Sequence, residues 1–287
     1  MKSINESTII LCSIVRNAEK GLQRNIPIIN KLLMQAKDYR VFVYENDSID
    51  GTKDLLQKWS QEDPQRIHVS MNDCDSTRTI PSSKLVNGVN PFFSHRRIDK
   101  MAMLRNSYME YVEKQKWEAD YMIVVDLDVA KISLDGILSS FESKKEWDAV
   151  TAFGYSIGPN LKRRYHDTYA LTLFGEENFP QTEQKVNSLA GLYSVLKGYG
   201  TWMRVFSAFG GLAIYQYDAV KGLRYAYPSL NNDDDRVEVR CEHYSLYKQM
   251  AERGCDKVYI NPSMILKYQD LSIMIIFNSL KRKLGIQ

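Results

Sequence analysis

Apolar positions along the first part of the chain alternate between two patterns, which predict strands and helices in turn. Continuous apolar runs at residues 8–15, 39–44 and 67–70 predict buried strands. Between them, apolar residues recur at helical spacing over residues 19–36 and 52–59. This β-α-β-α-β order predicts a parallel sheet with right-handed crossovers.

The second half of the chain continues this alternation, with longer irregular segments between the elements. The pattern predicts helices over residues 96–114, 134–141 and 241–253 and strands over residues 121–129, 148–153, 205–217 and 258–260, the last closed by Asn261-Pro262. Two polar segments, residues 72–94 and 158–202, predict loops, the second of them around a cleft. The paired glycines Gly210-Gly211 indicate either a simple bulge or the close approach of a ligand to the backbone.

Composition narrows the class of protein. Of the 287 residues, 44% are hydrophobic and 25% are charged, which is typical of a soluble globular protein. The formal net charge of +3 does not support a nucleic-acid-binding surface. Four cysteines without a close pair indicate neither a zinc site nor a disulfide framework, and they favour a reducing, cytoplasmic location. We interpret the short apolar run near the start as the first strand and not as a signal peptide.

The end of the chain differs in character from the rest. Residues 271–287 combine an apolar run with Lys281, Arg282 and Lys283. This tail either packs on the domain or lies peripherally on a membrane surface as a basic amphipathic helix. No uninterrupted apolar run approaches the ~20 residues that a membrane-spanning helix needs. We expect one domain over residues 1–270, followed by the tail.

Two carboxylates follow the most apolar predicted strand, in the stretch YMIVVDLDV at residues 121–129. Open α/β sheets bind ligands at the carboxyl ends of their strands, where Asp126 and Asp128 are expected. On an extended backbone both side chains point to the same side. Two close carboxylates repel each other unless a cation lies near them. The stretch therefore indicates either a divalent metal site or a strand end with two solvated acids.

Five stretches together resemble a nucleotide-sugar glycosyltransferase of the GT-A fold. They are YENDSIDGT at residues 44–52, the pair Arg105-Asn106, VVDLDV at 124–129, FGGLAIYQ at 209–216, and CEHYSLYKQMAERG at 241–254 followed by VYINP. Among the families of this fold, the capsule-associated mannosyltransferase-like group resembles the sequence most. The resemblance extends over about residues 8–262.

The resemblance implies a fold, an activity and a division of the domain. The fold would be α/β: a Rossmann-like, mostly parallel central sheet flanked by helices, with a smaller mixed sheet on the acceptor side. The nucleotide-binding half would span about residues 1–130 and the acceptor half about 131–270. The activity would be metal-dependent transfer of a hexose, such as mannose, from a UDP- or GDP-sugar to a glycan or lipid-linked acceptor hydroxyl.

The same resemblance implies roles for individual residues. Asp128 would bind Mn²⁺ or Mg²⁺ directly, and Asp126 would bind the ion through water or hold the ribose. Glu45 would accept a hydrogen bond from the base or the ribose, and Asp47 would lie beside it. Arg16 and Arg105 would meet phosphate or nucleoside oxygens, or else form ion pairs. Gly210 and Gly211 would lie beside the donor sugar.

Glu242 and His243 would serve in two different mechanisms. If the enzyme inverts the configuration of the anomeric carbon, a carboxylate must take the acceptor's proton, and Glu242 is the first candidate, with Asp126 as the other catalytic carboxylate. If the enzyme retains that configuration, His243 would complete the set of metal ligands, although a histidine at a helix start is often only a packed side chain. The acidic loop at residues 233–235 competes for the role of base.

Two rival functions differ from the transferase. A sugar-1-phosphate nucleotidyltransferase would normally carry a glycine-rich basic loop after the first strand, where this chain has Arg16-Asn17-Ala18-Glu19. A non-catalytic glycan-binding member of the fold is disfavoured by the intact carboxylates. A NAD-binding domain is disfavoured because no G-x-G-x-x-G follows the first strand.

Overall fold

The fold is that of a computed structural model, which describes residues 1–73, 93–158, 161–193, 200–226 and 240–270. The described strands are β1 (Thr8–Val15), β2 (Asp38–Glu45), β3 (Ile67–Met71), β4 (Tyr121–Val125), β5 (Lys131–Ile132), β6 (Ala149–Ile157), β7 (Arg163–Tyr165), β8 (Thr172–Leu173), β9 (Met203–Ser207), β10 (Leu212–Gln216) and β11 (Val258–Lys267). The described helices are α1 (Glu19–Leu33), α2 (Thr52–Glu62), α3 (His95–Lys114), α4 (Leu134–Phe141), α5 (Glu183–Ser188), α6 (Tyr217–Val220) and α7 (Glu242–Glu252).

All of these strands join one sheet, in the order β3-β2-β1-β4-β10-β6-β11-β9-β8, with β5 paired to β11 and β7 paired to β6. The first four strands in this order are parallel, which confirms the predicted β-α-β-α-β half. Strand β10 runs antiparallel between β4 and β6 and makes the sheet mixed. The α/β class is confirmed, and the strands of the acceptor side extend the central sheet instead of forming a separate one.

Side chains on the two faces of the sheet form two apolar layers. Because successive residues of a strand point to opposite faces, Ile10 of β1 packs in one layer and Ile9 in the other. Helix α3 supplies Tyr108 to the first layer, together with Tyr247 of α7. Helices α1, α2 and α4 cover the opposite face. The sheet is therefore buried on both sides, as parallel sheets require.

Several strand boundaries differ from the sequence prediction, and β4 and β11 show the physical reasons. Strand β4 ends at Val125, so the predicted extension to residue 129 is wrong, and residues 126–130 form a turn. Strand β11 does not end at Pro262 as predicted but continues to Lys267. Its register against β6 shifts between Asn261 and Ile265, and this bulge accommodates a proline that has no amide hydrogen for the ladder.

Within the described ranges, none of the helices has the length and apolar character needed to span a bilayer.

Candidate active site

A cleft of about 910 Å³ opens where the carboxyl ends of β1 and β4 meet. Its acidic lining residues are Asp126, Asp128, Asp167 and Glu242, and its cationic ones are Arg16, Arg96, Arg97, Lys100 and Arg105. The predicted residues Arg16, Arg105, Asp126, Asp128, Glu242 and His243 all line this cleft. A cleft with both signs of charge can bind an anionic ligand on one wall and a cation on the other.

Helix α1 holds the turn that carries Asp126 and Asp128. The side-chain amide of Asn25 donates to the carbonyl oxygens of Leu127 and Val129, at 2.9 and 2.7 Å. Gly21 lets the helix approach closely, because a methyl group there would lie 2.5 Å from the Cα atom of Asp128. The turn is therefore fixed by packing against α1, where the sequence suggested a continuing strand.

The two carboxylates of this turn have raised pKa values. Burial raises the pKa of Asp126 well above its usual range, and Arg105 opposes this effect only in part. The neighbouring carboxylates of Asp128, Asp167 and Glu242 raise it further. Desolvation also raises the pKa of Asp128. Desolvation is thus the main cause of both shifts, and Arg105 offsets it only in part.

Arg105 and Glu242 form a buried ion pair below the cleft. The Nε atom of Arg105 donates to Oε1 of Glu242 at 2.9 Å, and both side chains are about 5% exposed. The guanidinium group lies 4.7 Å from the ring centre of Phe209 and 5.8 Å from that of Tyr225. Of the alternatives left open for Arg105, the ion pair is therefore the one observed.

His243 lies beside this ion pair with its ring packed between aromatic side chains. It stacks on Phe209 at 4.4 Å and meets Tyr225 edge-on at 5.5 Å. Its Nε2 atom is 3.7 Å from Oε1 of Glu242. Burial, and after it Arg105, lowers the pKa of His243 well below its usual value, so the ring is neutral. The described ranges contain no group of three His, Cys, Asp or Glu residues arranged to hold a metal ion, so His243 does not complete such a group with the two aspartates.

The cleft residues that the sequence did not predict include His166, Asp167 and Tyr268. The rings of His166 and Tyr268 stack at 3.9 Å, and burial lowers the pKa of His166 to about 4. Asp167 accepts from the amide of Gly210 at 3.1 Å. His166 and Asp167 lie in the segment 158–202, which was predicted to form loops around a cleft. The sequence of that segment has no periodicity that distinguishes Asp167 from its neighbours.

Gly210 and Gly211 form a turn that supports the cleft, and they are not among its lining residues. Both have positive φ, at 65° and 90°. A methyl group on Gly210 would lie 2.2 Å from the carbonyl oxygen of Ala152 in β6. The carbonyl oxygen of Gly211 accepts from the amide of Asp126 at 2.8 Å. The strand predicted over residues 205–217 is thus divided into β9 and β10, which are not neighbours in the sheet, so the predicted bulge is wrong and the glycines form a turn between two strands. The close approach of a ligand to this backbone stays a prediction.

Glu45 and Asp47 do not line the cleft, whereas Asn46 between them does. Glu45 is fully buried, and its Oε1 atom accepts from the amide of Ser48 at 2.8 Å. The carboxylate of Asp47 accepts from the side-chain amide of Asn46. In this structure the two acids shape the turn after β2, and their predicted contacts with a nucleoside stay a prediction.

Cationic side chains from the start of α3 and the end of β1 form another part of the cleft wall. Ser94 caps α3 by accepting from the amide of Arg97. Arg96 and Lys100 follow on the helix, and Arg16 follows β1. The Nε atom of Arg16 is buried without a hydrogen-bond partner in the described structure. This wall, with the positive end of the helix dipole, can bind phosphate groups.

The acidic loop at residues 233–235 and the tail at residues 271–287 lie outside the described residues.

Residues 8–245 of the chain match the family described as Cryptococcal mannosyltransferase 1. No curated protein sequence matches significantly. Similar solved structures include the mannosyltransferase PcManGT from Pyrobaculum calidifontis in complex with GDP-Man and Mn²⁺ (9% identity, TM-score 0.47, covering 98% of this chain and 65% of that one). They also include S. aureus TarS 1-349 (11% identity, TM-score 0.46, covering 97% of this chain and 72% of that one). A third is GalNAc-T7 with UDP, GalNAc and Mn²⁺ (11% identity, TM-score 0.48, covering 96% of this chain and 47% of that one). The chain thus spans a little under two thirds of PcManGT and about half of GalNAc-T7.

The family match covers most of the chain and includes four of the five stretches that carried the resemblance in full, with the start of the fifth. The chain therefore belongs to the cryptococcal mannosyltransferase 1 family.

Proposed function

We propose that the protein transfers a hexose from a nucleoside diphosphate sugar to a hydroxyl of a glycan or lipid-linked acceptor, in a reaction that requires a divalent ion. The observation that carries this proposal is one cleft that is lined both by Asp126 and Asp128 and by cationic side chains. A nucleoside diphosphate has phosphates for the cations and oxygens for a metal ion held by the carboxylates. Both kinds of contact converge on the leaving group.

The carboxylates of Asp126 and Asp128 suit Mg²⁺ or Mn²⁺. Hard divalent ions prefer oxygen ligands, and Mg²⁺ is commonly held by one or two carboxylates together with substrate phosphates. Burial raises the pKa of both groups, and a bound cation would favour their charged forms. When bound, the ion would stabilise negative charge on the departing diphosphate. The remaining ligands would come from the donor and water, which fits the absence of a third protein ligand among the described residues.

The chain's own side chains would bind the two ends of the donor. Arg16, Arg96 and Lys100 supply positive charge for the phosphates in the same cleft as the carboxylates. Asn46 lies at the nucleoside end, with Glu45 and Asp47 holding its turn. The description of the family makes mannose the first donor sugar to test.

The proposal is tested by measuring thermal unfolding with GDP, UDP and their sugars, each with and without Mn²⁺. A ligand that binds only the native state raises Tm, by about 2.7 kcal/mol of stability at a concentration 100 times Kd. We expect one nucleotide series to stabilise the protein in Mn²⁺ and much less in EDTA. The proposal fails if no nucleotide shifts Tm with any divalent ion.

A further inference from the structure

Tyr268 lines the cleft and is the first residue after β11. Strand β10 runs antiparallel to both β4 and β6, and β11 runs parallel to β6, so β4 and β11 end at the same edge of the sheet. Ligands of open α/β sheets bind at this edge. The match to the family ends at residue 245, so Tyr268 lies outside the matched part of the chain.

The ring of Tyr268 lies in a fitted slot, stacked on the ring of His166 at 3.9 Å. Two glycines make room for it. A methyl group on Gly154 would lie 2.8 Å from Cε2 of this ring, and one on Gly211 would lie 3.1 Å from its hydroxyl oxygen. The amide of Tyr268 also donates to the carbonyl oxygen of Tyr155 in β6 at 2.9 Å. Packing and a backbone hydrogen bond thus fix the position of the ring.

The hydroxyl group at the end of this ring is open to a ligand. It makes no hydrogen bond with the residues that the structure describes. Desolvation raises the pKa of Tyr268 well above its usual value, and the charges of the nearby carboxylates of Asp167, Asp126 and Asp128 raise it further, so the group keeps its proton. A phenol hydroxyl can both donate and accept, as a sugar hydroxyl can. The two groups are therefore suited to each other.

The order of groups along the edge of the sheet places Tyr268 on the sugar side of the donor. Asn46 follows β2, Asp126 follows β4, and β2 and β11 lie on opposite sides of β4 in the sheet. In the donor the diphosphate joins the nucleoside to the sugar. A nucleoside near Asn46 and a diphosphate near Asp126 would therefore direct the sugar towards β11. Gly211 brings the two sides together, because its carbonyl oxygen accepts from the amide of Asp126 at 2.8 Å and its Cα borders the Tyr268 slot.

We propose that the hydroxyl group of Tyr268 forms a hydrogen bond with a hydroxyl group of the transferred sugar, and that stacking on His166 holds it in place for this contact. The inference rests on the proposed function, because it needs a nucleoside diphosphate sugar in the cleft. It adds a residue that binds the sugar itself to those that would bind the diphosphate and the nucleoside.

The test compares Tyr268→Phe with the wild-type protein and with a control, Tyr259→Phe. Both substitutions remove one hydroxyl group and keep the ring. Tyr259 lies in β11 and outside the cleft. Calorimetry in Mn²⁺ measures Kd for GDP-mannose and for GDP, or for UDP-glucose and UDP if that series is the one that stabilises the wild-type protein. The ratio of the two Kd values isolates the contribution of the sugar.

We expect Tyr268→Phe to bind the sugar nucleotide about threefold to tenfold more weakly, as is usual for loss of one neutral hydrogen bond, with Kd for the free nucleotide within about twofold of wild type. Its Tm without ligand should not change, because within the described ranges the hydroxyl group has no hydrogen bond to lose. The control should match the wild-type protein for both ligands. Equal weakening of both ligands, or unchanged binding of the sugar nucleotide, overturns the assignment.

Donors whose sugar lacks one hydroxyl group distinguish a direct contact from an indirect one. With the donor that lacks the contacted group, Tyr268→Phe should bind as tightly as the wild-type protein, since both partners of the hydrogen bond are then missing. A loss of the same size with every such donor overturns the direct contact and leaves the proposed function intact. A wild-type protein that binds no nucleotide with any divalent ion overturns the proposed function, and this inference with it.

Discussion

Gly21 in α1 offers a sharp test of how the acidic turn is held. A methyl group at this position would lie 2.5 Å from the Cα atom of Asp128 and 2.5 Å from the carbonyl oxygen of Leu127. Ordinary contacts of this kind begin near 3.4 Å, so Gly21→Ala must move the helix and the turn apart by about 0.9 Å (3.4 − 2.5). Both neighbours are backbone atoms, which cannot move aside as a flexible side chain could.

Two effects on stability oppose each other in Gly21→Ala. Alanine favours a helix interior by about 1 kcal/mol over glycine, whereas overpacking costs about 1–3 kcal/mol. We expect a net loss of about 1 kcal/mol in the free energy of unfolding, measured in urea. The larger effect should be on the site, since a displacement of about 1 Å can cost about 100-fold in function. Mn²⁺-dependent binding of GDP, measured by calorimetry, should weaken at least tenfold.

Gly136→Ala is the matched control. Gly136 lies in α4, and a methyl group there would lie 2.1 Å from the carbonyl oxygen of Ser263 in β11, away from the cleft. This variant should also lose stability but keep its Mn²⁺-dependent affinity for GDP. If Gly21→Ala binds GDP and Mn²⁺ as tightly as the wild-type protein, the turn does not depend on its packing against α1 and the reasoning is refuted.

Four further predictions concern single groups and the tail. Asp128→Ala should keep its unfolding transition and lose Mn²⁺-dependent nucleotide binding in calorimetry; unchanged binding would move the metal elsewhere. Glu242→Gln should lower the free energy of unfolding in urea by about 3 kcal/mol, because the charge of Arg105 is left buried without its partner; a loss below about 1 kcal/mol would contradict this. His166 has a pKa of about 4 in the folded protein, below its unfolded value, so its stabilisation is present above about pH 6.5 and is lost as the pH falls towards 4. Urea unfolding at pH 7 and 5 should therefore show a loss of about 1 kcal/mol, after allowance for solvent screening, that His166→Gln lacks; an equal loss in both proteins would exclude His166 as its source. Removal of residues 271–287 should abolish co-sedimentation with anionic vesicles if the tail lies on membranes, and equal sedimentation of both forms would exclude that role.

The sequence predicted most of the sheet because the local spacing of apolar residues indicates which sides of the strands and helices are buried. The strands at residues 8–15, 39–44 and 67–70 were placed within about two residues of their observed ends. The boundaries it missed depend on distant contacts. The turn after β4 is held by Asn25, which is 102 residues away from Leu127 in the chain. Strand β11 continues past Pro262 because its register with β6 shifts.

The site shows the same division. The sequence by itself determined that Asp126 and Asp128 follow a buried strand, because an apolar run ending in acids is a local signal. The sequence also identified the family, because the matching stretches keep their order along the chain. Which acids lie together was decided only by the tertiary structure. Arg105 meets Glu242 across 137 residues, and Gly210 meets Asp167 across 43.

The physical reason is that the behaviour of a carboxylate depends on its neighbours as much as on its own chemistry. Glu242 and Asp167 carry the same group, but a guanidinium partner binds one and backbone amides bind the other. Periodicity along the chain records which side of an element is buried, and it does not record which charges meet there. The sequence therefore determined most of the sheet and the acids that follow β4, and the fold alone distinguished the carboxylate held in an ion pair from the one held by backbone amides.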